Sequence, residues 1–226
     1  IELGVIGEAT AVRAGHEGAE ILGLIGEAQR TTNKLDGAKL NLTRALASKD
    51  GLREDQRAIL EMNLGAVELA FGKSAVAQQL LERALERSRR ALGDGHPSLA
   101  LYDDKLAEIA RARGQLREAL ALHDKSRALR IAAFGADDRS YATSLFHRAE
   151  TLLEAGRLTA AAKDATEARL IRLRIHGKDS RRLAEIDALL GEIELAAGRV
   201  GAATRYYRSA STLDGEPRGI VRTLAT

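Results

Sequence analysis

The sequence predicts an all-α protein built as a stack of antiparallel helical hairpins, and three observations predict it. Stepping by 21 residues from Gly51 lands on glycine eight times running: Gly51, Gly72, Gly93, Gly114, Gly135, Gly156, Gly177 and Gly198. Stepping by 42 from Ala77 lands on Ala119, Ala161 and Ala203, each five residues after one of those glycines. Between the glycines, apolar residues recur at helical spacing. A fixed period of this length marks a row of equivalent supersecondary units, and a glycine at each half-period marks the helix ends, because glycine enters φ > 0 without a steric penalty.

Residues 1–14 read as most of one helix, closed by Gly15, so 1–16 is the remnant of a preceding repeat. Starting on Ile1 within a helical pattern, the chain reads as a piece of a longer protein. Residues 17–30 carry Ile21, Leu22, Leu24, Ile25 and Ala28 near a 3.6 period. Asn33 stands where a turn glycine would, and asparagine is the next-best residue for a left-handed turn. Residues 34–48 supply the partner helix; this pair runs 39 rather than 42 residues behind the next. From Gly51 the pattern is regular. The first helix of each hairpin (helix A) is expected near 53–70, 97–112, 139–154 and 181–196, and the second (helix B) near 74–91, 116–133, 158–175 and 200–212. Pro97 is expected at the start of its helix, where a missing N–H costs little. The repeats therefore divide as 17–50, 51–92, 93–134, 135–176 and 177–212, with 213–226 a cap or a truncated next helix. Two columns stay small: Gly65, Ala107, Ala149 and Gly191 on helix A, and Ala84, Ser126, Ala168 and Ala210 on helix B. Small side chains there allow neighbouring helices to approach closely.

Composition excludes several functions. The chain has no cysteine, which removes disulfides, thiolate metal sites and cysteine nucleophiles. Lys and Arg number 35 against 32 Asp and Glu, a mixed surface rather than the basic stripe expected of a nucleic-acid binder. No apolar run is long enough to cross a bilayer, and the chain is read as cytoplasmic. Arginine outnumbers lysine 27 to 8 in a chain rich in alanine and glycine, pointing to a GC-rich bacterial genome. No cofactor is expected. None of His16, His96, His123, His147 and His176 has a second histidine three or four residues away, so no helical metal pair is expected. Phe71-Gly72-Lys73-Ser74 ends like a phosphate-binding loop, but the position needing the first glycine is Val67, inside a helix with no strand before it. Nothing interrupts the period as an inserted catalytic loop would, and the chain is read as non-enzymatic.

Asn63-Leu64-Gly65, then Gly72, Ala77 and Ala84-Leu85, resembles the tetratricopeptide repeat. The 42-residue period, with Leu-Gly-Asp-Gly-His-Pro at 92–97, is similar to its kinesin-light-chain-like subclass, common in bacterial proteins; the resemblance covers residues 17–212. Glu68, Ala110, Leu152 and Glu194 replace the usual helix A aromatic, and only Tyr207 keeps one in a helix B column otherwise filled by Leu81, His123 and Ala165. The resemblance implies a right-handed superhelix of helical hairpins whose helix A groove holds peptides or partner domains.

That groove is read as three rows. Met62, Asp104, Phe146 and Ala188 form the first; Asn63, Lys105, His147 and Leu189 the second; Ala66, Glu108, Glu150 and Glu192 the third, with Arg111 beside Glu108. The wall suits a peptide with apolar and polar anchors, and it is not uniformly basic, which argues against a clamp for acidic peptide ends. Phe146 and Lys105 are expected to contribute most, although Phe146 could instead belong to the core between repeats. The expected function is a protein-interaction module, the recognition or regulatory part of a larger signalling protein. The alternative is a structural spacer or end-to-end self-assembly element, since each end of such a stack exposes an uncovered apolar face.

Overall fold

A computed structural model of the chain describes residues 18–48, 52–177 and 181–214, and within these all regular structure is helical. The expected helix within 1–16, Gly51 and the segment beyond 214 lie outside the described residues. The chain divides into two units, residues 1–109 and 110–226.

The first unit holds α1 (18–31), α2 (Leu35–Ala47), α3 (Glu54–Ala70), α4 (Ser74–Leu92) and most of α5 (Leu99–Ala112). Its core has two parts. Ala38, Leu42, Ala45, Leu60, Leu64 and Val67 knit α2 to α3, while Ala58, Ala84 and Tyr102 join α3, α4 and α5. Tyr102 accepts a hydrogen bond from the Ser88 hydroxyl at 2.8 Å; burial pushes its phenol above the usual tyrosine range, and the bond to Ser88 offsets part of this. The second unit holds α6 (Leu116–Phe134), α7 (Arg139–Glu154), α8 (Leu158–His176), α9 (Arg181–Ala196) and α10 (Val200–Asp214). Its core runs through Leu145, Leu152, Ile171, Ile186, Leu190 and Ile193, none more than 1% exposed.

The helices start and stop within two residues of the expected positions. The largest shifts are at α5, which begins at Leu99 rather than Pro97, and at α10, which ends at Asp214 rather than 212. The N–H groups of Leu99, Ala100 and Leu101 bond the carbonyls of His96, Pro97 and Ser98, three residues back. Pro97 therefore sits in a tight turn leading into the helix, as i→i+3 bonding at helix ends allows.

The glycine comb contains two different turns. Between helix A and helix B, the chain reverses in one repeated motif. At Gly114, φ is +74°, its N–H bonds the Arg111 carbonyl, and the Gln115 N–H reaches back to Ala110. The same pair of bonds recurs around Gly72, Gly156 and Gly198, and around Asn33, which adopts φ +60°. That is a Schellman-type C-cap, open to asparagine as well as glycine. Between helix B and the next helix A, the backbone differs. Gly135 has φ +82° and ψ +174°, and Gly93 and Gly177 lie in the same region. This corner of conformational space is essentially closed to other residues.

The two small columns are buried throughout. Gly65 faces Leu81, whose Cγ lies 3.2 Å from where a Cβ would stand. Gly191 faces Tyr207, whose ring would be 2.6 Å from such a Cβ. Of the two repeats between, 135–176 holds Ala149 and Ala165 at the equivalent positions and 93–134 holds Ala107 and His123, all four buried. Size is thus exchanged across the hairpin at Gly65–Leu81 and Gly191–Tyr207, where glycine meets a large side chain, while Ala149 and Ala165 are both small.

Candidate functional site

The helix A wall of each unit is built from positions 3.6 residues apart on helices whose other faces are packed. In the first unit, α1 and α3 lie side by side: a Cβ on Gly23 would meet Leu60 at 2.6 Å. A groove of about 230 Å³ opens beside this contact. Leu24, Leu52, Ile59 and Leu60 line it, with Glu20, Glu27, Gln56 and Asn63 at its polar edges. Leu24 is 68% exposed and Ile59 46%. Gln56 donates from its amide to the Glu20 carboxylate and accepts from the Arg53 N–H, so it ties the groove edge to the start of α3. Asn63 is 4% exposed and lines the groove.

The other wall residues of this unit are more enclosed than the three rows suggest. Met62 is half-buried against Ala58, Ala84 and Tyr102. Asp104 is 4% exposed. Lys105 is half-buried, with its ammonium 2.8 and 2.9 Å from the two oxygens of Glu108 one turn away.

In the second unit, α7 carries most of the wall. Phe146 is half-buried and packs against the core cluster, edge-on to His147 at 5.4 Å. His147 stacks on the buried His123 of α6 at 6.5 Å, and its Nδ1 lies 3.0 Å from the Glu150 carboxylate. Leu189 is 5% exposed and belongs to the core. Glu192 is exposed, yet nearby protein atoms and the charge of Glu150 hold its carboxyl above the usual range. Arg111 reaches Glu154 at 2.9 Å. The apolar wall residues Met62, Phe146 and Leu189 are therefore not exposed: Met62 and Phe146 are half-buried and Leu189 is buried.

Leu24 and Glu27 escape the three rows, yet the sequence contains them. Shifted by the 39-residue offset of the first hairpin, Asn63 maps to Leu24 and Ala66 to Glu27. The third row then reads Glu27, Ala66, Glu108, Glu150 and Glu192, an acid on four of the five A helices.

Charge is layered in the same sense. The five A helices carry fifteen Asp and Glu against eight Lys and Arg, whereas the five B helices carry eight against sixteen. Much of this difference is used in ion pairs within a hairpin and between one hairpin and the next. Buried Glu61 receives Arg87 at 3.1 Å and Arg83 at 3.5 Å. Buried Glu68 pairs with Lys39 at 2.7 Å, and that hydrogen bond holds the lysine above its usual range. Asp187, wholly buried, accepts from Arg169 and from the Ser209 hydroxyl. Buried acids need such partners, since desolvation of an unpaired charge costs far more than any packing gain. Glu27 and Glu192 form no ion pair among the described residues and remain on the wall as acidic surface.

The segment Phe71-Gly72-Lys73-Ser74 is the turn between α3 and α4, and Val67 is fully buried inside α3. Among the described residues no three His, Cys, Asp or Glu side chains gather as a metal site, and no helix is long and apolar enough to cross a membrane.

Comparison with known proteins agrees with this architecture. Residues 62–98 and 98–169 each match a tetratricopeptide repeat family model. Residues 62–169 thus resemble tetratricopeptide repeats in sequence, and the structure is built of antiparallel helical hairpins like its solved neighbours. No curated protein matches the chain in sequence. Among solved structures, BtubC (BKLC) from P. vanneervenii superposes with a TM-score of 0.75 at 15% identity, over 90% of this chain and 89% of that one. A putative kinesin light chain from Podospora anserina, with nearly identical TPR-like repeats, gives 0.70 at 19% identity, over 91% and 95%. The apo form of RapI gives 0.70 at 14% identity; this chain matches over 88% of its own length and 54% of RapI. At these identities the likeness is one of fold. Tetratricopeptide repeats generally mediate protein–protein interaction and are generally non-catalytic scaffolds.

Proposed function

We propose that this chain is a non-catalytic recognition module that holds a peptide or partner segment on its helix A wall, as part of a larger cytoplasmic bacterial signalling protein. The observation that carries the reading is the α1–α3 groove: two exposed aliphatic side chains beside the side-chain amide of Asn63. An apolar cleft edged by a few directed polar groups is the usual form of a recognition site. In the first unit Met62, Lys105 and Glu108 extend the wall, and in the second Arg111, Phe146, His147, Glu150 and Glu192 form a wall of their own, with Phe146 and Lys105 the strongest contributors. Asn63 serves through its amide at the groove, while the buried Asp104 and Leu189 support the wall from behind.

The test is an affinity pull-down with the whole chain as bait, repeated with Leu24→Asp and with Lys105→Glu. A protein captured by the wild type and lost from either variant, with melting temperature unchanged, supports the reading. Capture that is indifferent to both variants removes the wall as the binding surface. A second reading, self-assembly, is favoured by Ile21 and Ile25, exposed one turn apart on α1 at 56% and 42%. Light scattering on the purified chain separates the two, since a stable oligomer broken by Ile21→Lys would favour self-assembly.

A further inference from the structure

We propose that the α1–α3 groove selects a segment with a large apolar residue flanked by lysine or arginine; this rests on the recognition reading above and specifies its partner. The groove states both halves of that requirement. Its floor of Leu52 and Leu60, between the exposed flanks Leu24 and Ile59, takes an apolar side chain, and about 230 Å³ limits it to one or two such groups rather than a whole helix. Glu20 and Glu27 stand seven residues apart on α1, on the same face as Leu24 and on either side of it along the helix.

The two acids differ in engagement. Glu20 already accepts from Gln56, whereas Glu27 is exposed and has no ion pair among the described residues. Among the described residues no Lys or Arg lines the groove, and Arg53 at the start of α3 interacts electrostatically with Glu20 but leaves Glu27 unmatched. Cations are plentiful in this chain, yet they concentrate on the B helices, so an acidic ligand would meet repulsion here and a basic one attraction. Asn63 completes the site. Its side-chain amide lines the groove, and such an amide can both donate to and accept from an extended peptide backbone. Apolar contact therefore supplies affinity, Asn63 fixes the backbone, and Glu20 and Glu27 set the preference for charge.

Selection of a phage-displayed random dodecapeptide library on the immobilised whole chain tests this. The expected result is enrichment of sequences with an apolar residue next to Lys or Arg. Synthetic copies should bind at least tenfold more weakly to Glu27→Lys and to Leu24→Asp, and should weaken as salt rises from 50 to about 200 mM, where the Debye length falls below 10 Å. Both variants lie at exposed positions, and an unchanged helical melting curve confirms that they remain folded. Enriched peptides without basic bias, or binding unaffected by Glu27→Lys, overturn the charge preference and leave the recognition reading standing. Failure to enrich any peptide overturns both.

Discussion

At the scale of the residue, the two kinds of comb glycine should respond differently to the same substitution. Gly114 lies in the left-handed region that Asn33 occupies without glycine's help, so Gly114→Asn should cost about 1 kcal/mol or less, and Gly114→Val more. Gly135 combines φ +82° with an extended ψ of +174°, where asparagine has no advantage; Gly135→Asn should cost roughly 1–3 kcal/mol. Gly201 is exposed, lies near a helix start and has open space where a Cβ would go, so alanine there should be neutral or slightly stabilising. Urea unfolding of the three variants decides the matter, and equal losses at Gly114 and Gly135 would erase the distinction between the two turns. Asp138 offers a pH test. It caps α7 by accepting from the Ser140 N–H at 2.6 Å, and the bonds to Ser140 hold its carboxyl below the usual value near 3.8. A carboxyl lowered on folding stabilises the fold fully above its unfolded value, and that gain disappears as pH falls through the lowered one. Asp138→Ala should therefore cost about 1 kcal/mol at pH 7 and progressively less below pH 4. A penalty that persists at pH 2 would show that the cap does not act through its charge.

At the scale of the element, a hairpin is held by matched volumes and paired charges. Gly191→Ala places a methyl 2.6 Å from the Tyr207 ring and should destabilise by about 1–3 kcal/mol through overpacking. Adding Tyr207→Leu should recover part of that loss, because Gly65 already packs against Leu81 in this geometry. A double mutant no better than the sum of its singles would mean the two columns are not coupled. This scale also shows what could be read in advance. Helix positions, turn glycines and small columns were legible because each repeats at a fixed spacing and each has one physical cause. The face of the wall was less so. A helix rotates 100° per residue, so Asp104 and Leu189, assigned to the surface by column, lie under neighbouring helices instead. Phe146 was balanced between groove and core, and it is half-buried against the core cluster. The α1–α3 groove went unread because the first hairpin departs from the 42-residue period, although its 39-residue offset leads to Leu24 and Glu27.

At the scale of the whole molecule, stability should follow hairpins rather than residues. Truncation after Gly177 removes α9 and α10 together, so the remaining chain should keep its helicity per residue and a cooperative melt. Truncation after Gly198 retains α9 but strips α10 from it, uncovering a helix whose Ile186, Leu190 and Ile193 are at most 1% exposed in the full chain. The longer fragment should be the less stable and the more prone to aggregate, since uncovered apolar surface costs about 25 cal/mol per Å². Circular dichroism melting of the two fragments tests this; a more stable longer fragment would show that stability accrues helix by helix. Both fragments, like the intact chain, should lack β signal.

The exchange of size between Gly65 and Leu81, and between Gly191 and Tyr207, bears on how such a chain can be inherited. Each large residue and the glycine that admits it lie 16 positions apart, on the two helices of one hairpin. Recombination at Gly93, Gly135 or Gly177 moves both together, and a daughter chain receives a working pair whatever its neighbours. Crossing over at Gly72 or Gly156 separates them: a graft of α8 onto α3 would set Gly65 against Ala165 and leave a void, while α10 joined to α7 would drive Tyr207 into Ala149. Gain and loss of repeats in descendants of this sequence is therefore channelled to one of its two kinds of glycine turn, and the hairpin, not the helix, is the heritable unit.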